Sequence, residues 1–205
     1  MTISYPRTFP TSPKPRKARI IARSIIGTTE SIYTFSTQKQ EHAGQRWEMD
    51  LEMPPMTKAD AGQWIAFLVS LNGKQGTVLV PDPDRTAPQG VGTGTPLVDG
   101  ASQSGAVLVT NGWTISTTAI MSAGDLIQVG NYSYMVLVDA NSDGSGTATL
   151  DIWPDLRSSP ANDAAITVNN CKTLMQLATN EMAWSTDELQ HYGISLTFIE
   201  ALPST

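Results

Sequence analysis

Charge, histidine and cysteine are all scarce in this chain. Only 16% of its 205 residues are Asp, Glu, Lys or Arg, well under the roughly one quarter usual in soluble domains. So little surface charge suits a subunit that packs against copies of itself. A single cysteine, Cys171, excludes an internal disulfide and gives no argument for an oxidising compartment. Two histidines, His42 and His191, leave few imidazoles for acid–base catalysis or for a zinc site. No window reaches the roughly 18 apolar residues of a membrane helix. Met1 to Pro15 holds Pro6, Pro10, Pro13 and Pro15 but no apolar signal-peptide core, so assembly in a cytoplasm is expected.

Apolar residues make up 40% of the chain, with 16 glycines and 13 prolines. The net charge of −6 is unevenly spread. Residues 1–90 hold 11 Lys/Arg against 8 Asp/Glu, a balance of +3, and residues 91–205 hold 2 against 11, a balance of −9. Such a subunit could bind neighbours positive edge to negative edge. The basic residues Arg7, Lys14, Arg16, Lys17, Arg19 and Arg23 lie in and just after a proline-rich arm with no nucleic-acid motif around them, so specific nucleic-acid binding is not expected.

Residues 1–17 read as an extended arm, since each proline fixes φ and removes a backbone donor. With no core of its own, this arm should be ordered only by docking. Residues 18–26, rich in isoleucine, read as a buried strand, and residues 30–37 as a weakly alternating one. In residues 45–53 the alternation is clean, with Trp47, Met49, Leu51 and Met53 on one face and Arg46, Glu48, Asp50 and Glu52 on the other. Pro54-Pro55 stops that strand. A helix over residues 57–71 follows, with Thr57 as N-cap, Asp60 in a capping-box position, and Ala61, Trp64, Ile65, Leu68 and Leu71 at helical spacing. Asn72-Gly73 ends it, and residues 76–81 predict another strand.

At residues 82–95 acids, prolines and glycines suggest a flexible boundary. Beyond it, strands are predicted at 106–110, 126–130, 132–139, 147–153 and 165–168, with Gly130-Asn131 as a two-residue hairpin loop. Short strands in such number suggest a small barrel over residues 91–168. From Thr173, Leu174, Gln176 and Ala178 share one alternation, Met182 and Trp184 begin another run, and residues 192–199 form a terminal strand. That strand should pair with those of residues 18–53, leaving the barrel as an insertion between 18–90 and 169–205.

Catalytic and metal-binding patterns are weak. Asp139-Ala-Asn-Ser-Asp-Gly144 matches the opening of a calcium loop, but its twelfth position is Leu150 instead of a bidentate Glu, and its flanks read as strands. A hairpin turn is the better reading. Cys171 and His191 could pair only if the fold brought them together. Gly90-Val-Gly-Thr-Gly lacks the Lys and the following helix of a phosphate loop. Asp151 and Asp155 could pair as glycosidase acids, yet paired Asp residues beside a proline such as Pro154 are common in loops. No catalytic, cofactor or metal residue is assigned, and the expectation is a non-enzymatic protein without cofactors.

Several blocks occur in order: Trp47-Glu-Met-Asp-Leu-Glu-Met-Pro-Pro-Met56, Lys58-Ala-Asp-Ala61, Trp64-Ile-Ala-Phe-Leu-Val-Ser-Leu71 and Gly76-Thr-Val-Leu-Val-Pro-Asp-Pro83. They continue through Gly112-Trp113, Ala123-Gly-Asp-Leu-Ile-Gln-Val-Gly130 and Trp153-Pro-Asp-Leu-Arg157. Their order resembles a family of phage and prophage tail-tip proteins, and the split arrangement resembles distal tail proteins of long-tailed, siphovirus-type phages. The resemblance implies a mainly β fold with one helix. A ring-forming β-sandwich or split barrel (18–90 plus 169–205) would carry an inserted, OB-like β-barrel. It also implies a structural virion protein, a hexameric adaptor ring joining tail tube to tip or baseplate hub. Its partners would be tube protein, hub or tip proteins and the tape-measure protein.

The competing expectation is a carbohydrate- or receptor-binding module at the tail tip, with Trp113, Tyr132, Tyr134 or Trp153 as stacking platforms. The acidic second half would line a lumen or rim past which DNA slides.

Overall fold

The computed structural model describes residues 3–188 and 191–203. Met1 and Thr2 of the expected arm, Leu189 and Gln190, and the last two residues lie outside them. The strands are β1 (Arg7–Thr8), β2 (Lys17–Glu30), β3 (Thr37–Glu52), β4 (Thr77–Pro81), β5 (Gly94–Val98), β6 (Val107–Trp113) and β7 (Leu126–Val129). They continue as β8 (Tyr132–Val136), β9 (Ala148–Trp153), β10 (Ile166–Thr167), β11 (Lys172–Leu177), β12 (Ser185–Thr186), β13 (Tyr192–Gly193) and β14 (Ser195–Glu200). Helix α1 (Lys58–Ser70) is the one α-helix among the described residues. The chain is thus mainly β with a single helix.

One six-stranded sheet has the order β1-β4-β11-β14-β3-β2, and a second has β10-β7-β8-β9-β6-β5. The terminal strand β14 pairs antiparallel with β3, Leu196 opposite Leu51 and Phe198 opposite Met49, as its alternation predicts. On β3 the period-two pattern decides burial: Trp47, Met49 and Leu51 enter the core. Helix α1 covers that face. Thr57 Oγ1 caps it, accepting from Asp60 N and donating to the Asp60 carboxylate at 2.8 Å. Ala61, Trp64, Phe67 and Leu68 then point inward against Val78, Met175, Leu196 and Phe198. Fully buried, Trp64 removes on the order of 200 Å² from water, about 5 kcal/mol by area. That outweighs its indole N–H, which finds no acceptor and costs about 1–3 kcal/mol.

The second sheet curls into a nearly closed barrel. Its end strands β5 and β10 meet through a Leu97–Ala165 bridge, and Val98 N donates to Ala164 O at 2.9 Å. Leu108, Ile120, Met121, Ile127, Val136, Leu150 and Ile152 fill it. The hairpin loop at Gly130-Asn131 forms as expected, with Gly130 at φ +60° and Val129 opposite Tyr132.

Several expectations fail for identifiable reasons. Residues 18–26 are not buried: β2 is an edge strand, hydrogen-bonded only to β3, and most of it is exposed. Residues 31–36 do not form a strand but the turn joining β2 to β3. The boundary at 82–95 is held in place: Gln89 N and Gly90 N donate to the Asp125 carboxylate at 2.6 and 3.0 Å, and β5 begins within it. On β11 the buried face is Thr173, Met175 and Leu177, opposite to the alternation of Leu174, Gln176 and Ala178. Met182 and Trp184 lie outside any strand. The arm is extended but docks on its own chain: Arg7 and Thr8 pair parallel with β4, and Phe9 meets Trp64 edge-on at 5.2 Å.

Candidate assembly surface

The β2–β3 hairpin outruns its sheet. β14 accompanies β3 only over Glu48–Glu52, so the ribbon from Ser24 to Gln45 has no further sheet neighbour. Its pairing continues through Gly27–Gln40 and Thr29–Gln38 to Glu30–Thr37. A two-stranded ribbon with nothing packed on it is marginally stable in water. The returning strand, Thr37-Gln-Lys-Gln-Glu-His-Ala-Gly44, supplies no large apolar side chain to cover its partner. Ile25 and Ile26 therefore remain more than half exposed. The register shifts between Ser24 and Ile26, and Ile25 lies over Gly44, where a Cβ would stand 2.6 Å from Ile25 Cδ1.

At the tip Ile32 is 79% exposed, Tyr33 88% and Phe35 76%. The turn holding them is well defined. Phe35 N donates to Ser31 O and Ser31 N to Ser36 O, each at 2.9 Å. The Thr34 and Ser36 hydroxyls lie 2.8 Å apart. Phe35 is left-handed at φ +54°, a conformation costing about 1 kcal/mol for a side chain of this size. An apolar trio fixed in solvent by a strained turn is an unusual use of aromatic surface.

The root of the hairpin is polar on one face. Arg16 pairs with Glu52, Arg19 with Asp50 at 3.7 Å, and both Arg23 and Arg46 with Glu48 at 2.7 Å. The Arg23 hydrogen bond, joined by that of Arg46, holds the Glu48 carboxyl below its ordinary range against the opposing effect of burial. These arginines are thus matched within the chain and do not form the free positive edge that the charge asymmetry suggests.

Behind the root, where the two sheets meet, runs a groove of about 440 Å³ lined by Ile20, Ala22, Trp47, Met135, Leu137 and Trp153, with Arg85 as its charged member. The seam below is tightly joined. Trp47 stacks edge-on against Trp153 at 4.5 Å, and its indole N–H donates to Ser133 O at 3.1 Å. Arg157 clasps Glu200 with Nε and Nη2, each at 2.7 Å, and Trp47 N donates to the same carboxylate at 2.9 Å.

The four candidate stacking aromatics are committed elsewhere. Trp113 is buried in the barrel with its indole on Thr110 Oγ1, and Tyr134 is buried with its hydroxyl accepting from Arg157 N. Tyr132 donates to Ala201 O, and Trp153 packs on Trp47.

The catalytic and metal candidates do not converge. Cys171 is buried, its Sγ 3.3 Å from both Leu126 O and Thr167 O, and burial pushes its thiol up to about 12. His191 is exposed on the surface, 3.5 Å from the Asp187 carboxylate and in the recess shared by Arg16 and Glu52. His42 sits on the exposed hairpin. Asp151 points outward on β9, whereas Asp155 offers its backbone N–H to Gln45 Oε1.

In the calcium-like loop each of the three side chains serves the backbone through its Oδ1: Asp139 accepts from Ala123 N, Asn141 from Ala119 N, and Asp143 from Ser145 N and Thr147 N. The glycine-rich stretch at residue 90 surrounds an anion already present, Asp125, which also accepts from Ser122 N at 2.8 Å. Among the described residues no cluster of three or more His, Cys, Asp or Glu could hold a metal, and no helix is long and apolar enough to cross a membrane.

No protein-family model matches the sequence, and no curated protein matches it.

The hairpin tip is the feature that sequence reading missed. Its signal was present: a polar run from Thr37 to Gly44 cannot cover an apolar strand beside it.

Proposed function

We propose that this chain is a structural, non-enzymatic subunit of a phage tail, a distal adaptor whose copies close into a ring between tail tube and tip. The observation that supports this most is the unpartnered hairpin, which presents Ile32, Tyr33 and Phe35 to solvent on an ordered turn. Such a surface is satisfied by another protein. The ordered blocks from Trp47 to Arg157 that resemble tail-tip proteins point the same way.

In this reading the ring is a hexamer assembled in the host cytoplasm, with tube protein above, hub or tip protein below and the tape-measure protein inside. The inserted barrel would face outward, OB-like in outline. The receptor-binding alternative is the weaker reading, because the four aromatics named for it are engaged in packing and hydrogen bonds.

Electron microscopy of the purified protein tests the proposal. Closed sixfold rings are expected. Threefold particles would indicate a hub instead, and a field of single subunits would contradict assembly altogether.

A further inference from the structure

Hydrogen-bond accounting at the seam between the two sheets does not close within the chain. Ser133 on β8 and Thr173 on β11 are each 5% exposed and meet across that seam. Their hydroxyls are bonded to each other and to no other group among the described residues. A pair of hydroxyls carries two protons, and the bond between them uses one. Whichever oxygen donates, the accepting hydroxyl keeps an O–H for which the chain supplies no acceptor. A buried donor in that position bears the full loss of its hydration. Native folds therefore give such groups a partner, either protein or water.

Space for that partner adjoins the pair. A cavity of about 20 Å³ is lined by Ser133, Thr173, Asp82 and Arg85, with Ile20 and Trp47 among its apolar walls. A water molecule needs about 10–15 Å³ on this measure, which sizes the cavity for a single one. Size alone does not wet a cavity, since apolar ones stay dry. Here the polar groups on the wall complement a water. Asp82 Oδ1 is occupied by the N–H groups of Asp84 and Arg85 at 2.8 and 3.0 Å. Asp82 Oδ2 accepts only the long bond from Arg85 Nη1 at 3.4 Å, so it has lone pairs to spare. The Arg85 guanidinium keeps N–H donors beyond the one it directs at Asp82.

We propose that this cavity is a binding site for one ordered water that joins the two sheets. The water accepts the spare proton of the Ser133–Thr173 pair and an N–H of Arg85, and it donates to Asp82 Oδ2. Three bonds are the usual number for an internal water. Thr173 belongs to the first sheet, Ser133 to the second, and Asp82 to the segment leaving β4 for the barrel. One molecule thus ties three parts of the seam together. Its way in is the neighbouring groove, because Ile20, Trp47 and Arg85 line both spaces. The site is internal to a single copy and stands apart from the adaptor reading.

Nuclear magnetic resonance of the full chain tests the site. Oxygen-17 relaxation dispersion counts waters held longer than the tumbling time, and it sees water oxygen alone, so exchanging hydroxyl protons cannot imitate the signal. Water–protein NOE spectra then place the molecule through the methyls of Val80, which also line the cavity. Wild type is expected to show a long-lived water at Val80. Ser133→Ala combined with Thr173→Val removes both hydroxyls at nearly constant volume, and it should lose that cross-peak and one water from the count. An unchanged count in the folded double variant would overturn the proposal. So would the absence of a water cross-peak at Val80 in wild type, a result that stands even if the double variant does not fold.

Discussion

Arg157 and Glu200 form a bidentate ion pair at the seam between the two sheets, with both N···O distances at 2.7 Å and both side chains almost wholly buried. Forty-three residues separate them, and the same carboxylate accepts the backbone N–H of Trp47. Desolvating such a pair offsets most of its attraction, so its presence argues for geometry more than for net stability. What it does is fix how β14 meets the loop after β9.

Removing one partner strands the other charge in the core. Glu200→Ala is expected to cost about 3–5 kcal/mol in urea denaturation. Replacing both, Arg157→Met with Glu200→Met, should cost less than Glu200→Ala alone, leaving chiefly the Trp47 N–H unpaired at about 1–3 kcal/mol. A double variant as unstable as the sum of the singles would contradict this account of the seam.

Asp125 is predicted to hold the chain entering the barrel. Its buried carboxylate gathers the N–H groups of Gln89, Gly90 and Ser122. Asp125→Ala should leave those donors unsatisfied and destabilise the fold by about 2–4 kcal/mol. Amide exchange of residues 89–92 should rise more than that of the hairpin. Equal exchange in wild type and variant would show that the stretch is held by other contacts.

Cys171 is expected to be inert in the native protein. Burial lifts its thiol from 9.0 to about 12, so at pH 8 a thiol reagent should label it only after denaturation. The linkage follows from the sign. A proton held more tightly when folded contributes stability that is complete below pH 9 and is lost as pH rises toward about 12. Rapid labelling of the folded protein at pH 8 would contradict the placement of this residue.

Acid should loosen the hairpin root. The Glu48 carboxyl lies below its ordinary 4.5 because Arg23, and with it Arg46, hydrogen-bonds to it. Its contribution to stability is present above pH 4.5 and is lost as pH falls through the depressed value. Arg23→Ala should shift the Glu48 titration upward in carboxyl-detected NMR. An unmoved titration would show that Arg46 alone sets it.

Local pattern made much of this fold readable before its structure. Trp47, Met49 and Leu51 alternate because one face of β3 meets a helix, and Thr57 and Asp60 announce where that helix begins. Gly130-Asn131 declares its hairpin through the positive φ that glycine tolerates. Features that depend on remote partners were not readable. Ile20 to Ile26 have the composition of a buried strand, but composition reports sheet propensity and says nothing of a missing neighbour. Residues 89 and 90 look like linker because the carboxylate that orders them arrives 35 residues later. Tyr33 and Phe35 suggest strand by residue type, whereas the turn around them is set by hydrogen bonds among Ser31, Thr34 and Ser36. The candidate surface was therefore the least legible part, since exposure is decided by what fails to pack on a segment.

The central claim is that the hairpin tip drives assembly, and native mass spectrometry of the full chain beside a version with residues 31–36 replaced by Asn-Gly tests it most directly. The account predicts a closed multiple of the 22.0 kDa subunit, six copies, for the unmodified chain, and single folded subunits for the shortened one. Monomers of the unmodified chain at every concentration, or undiminished assembly of the shortened one, would contradict it.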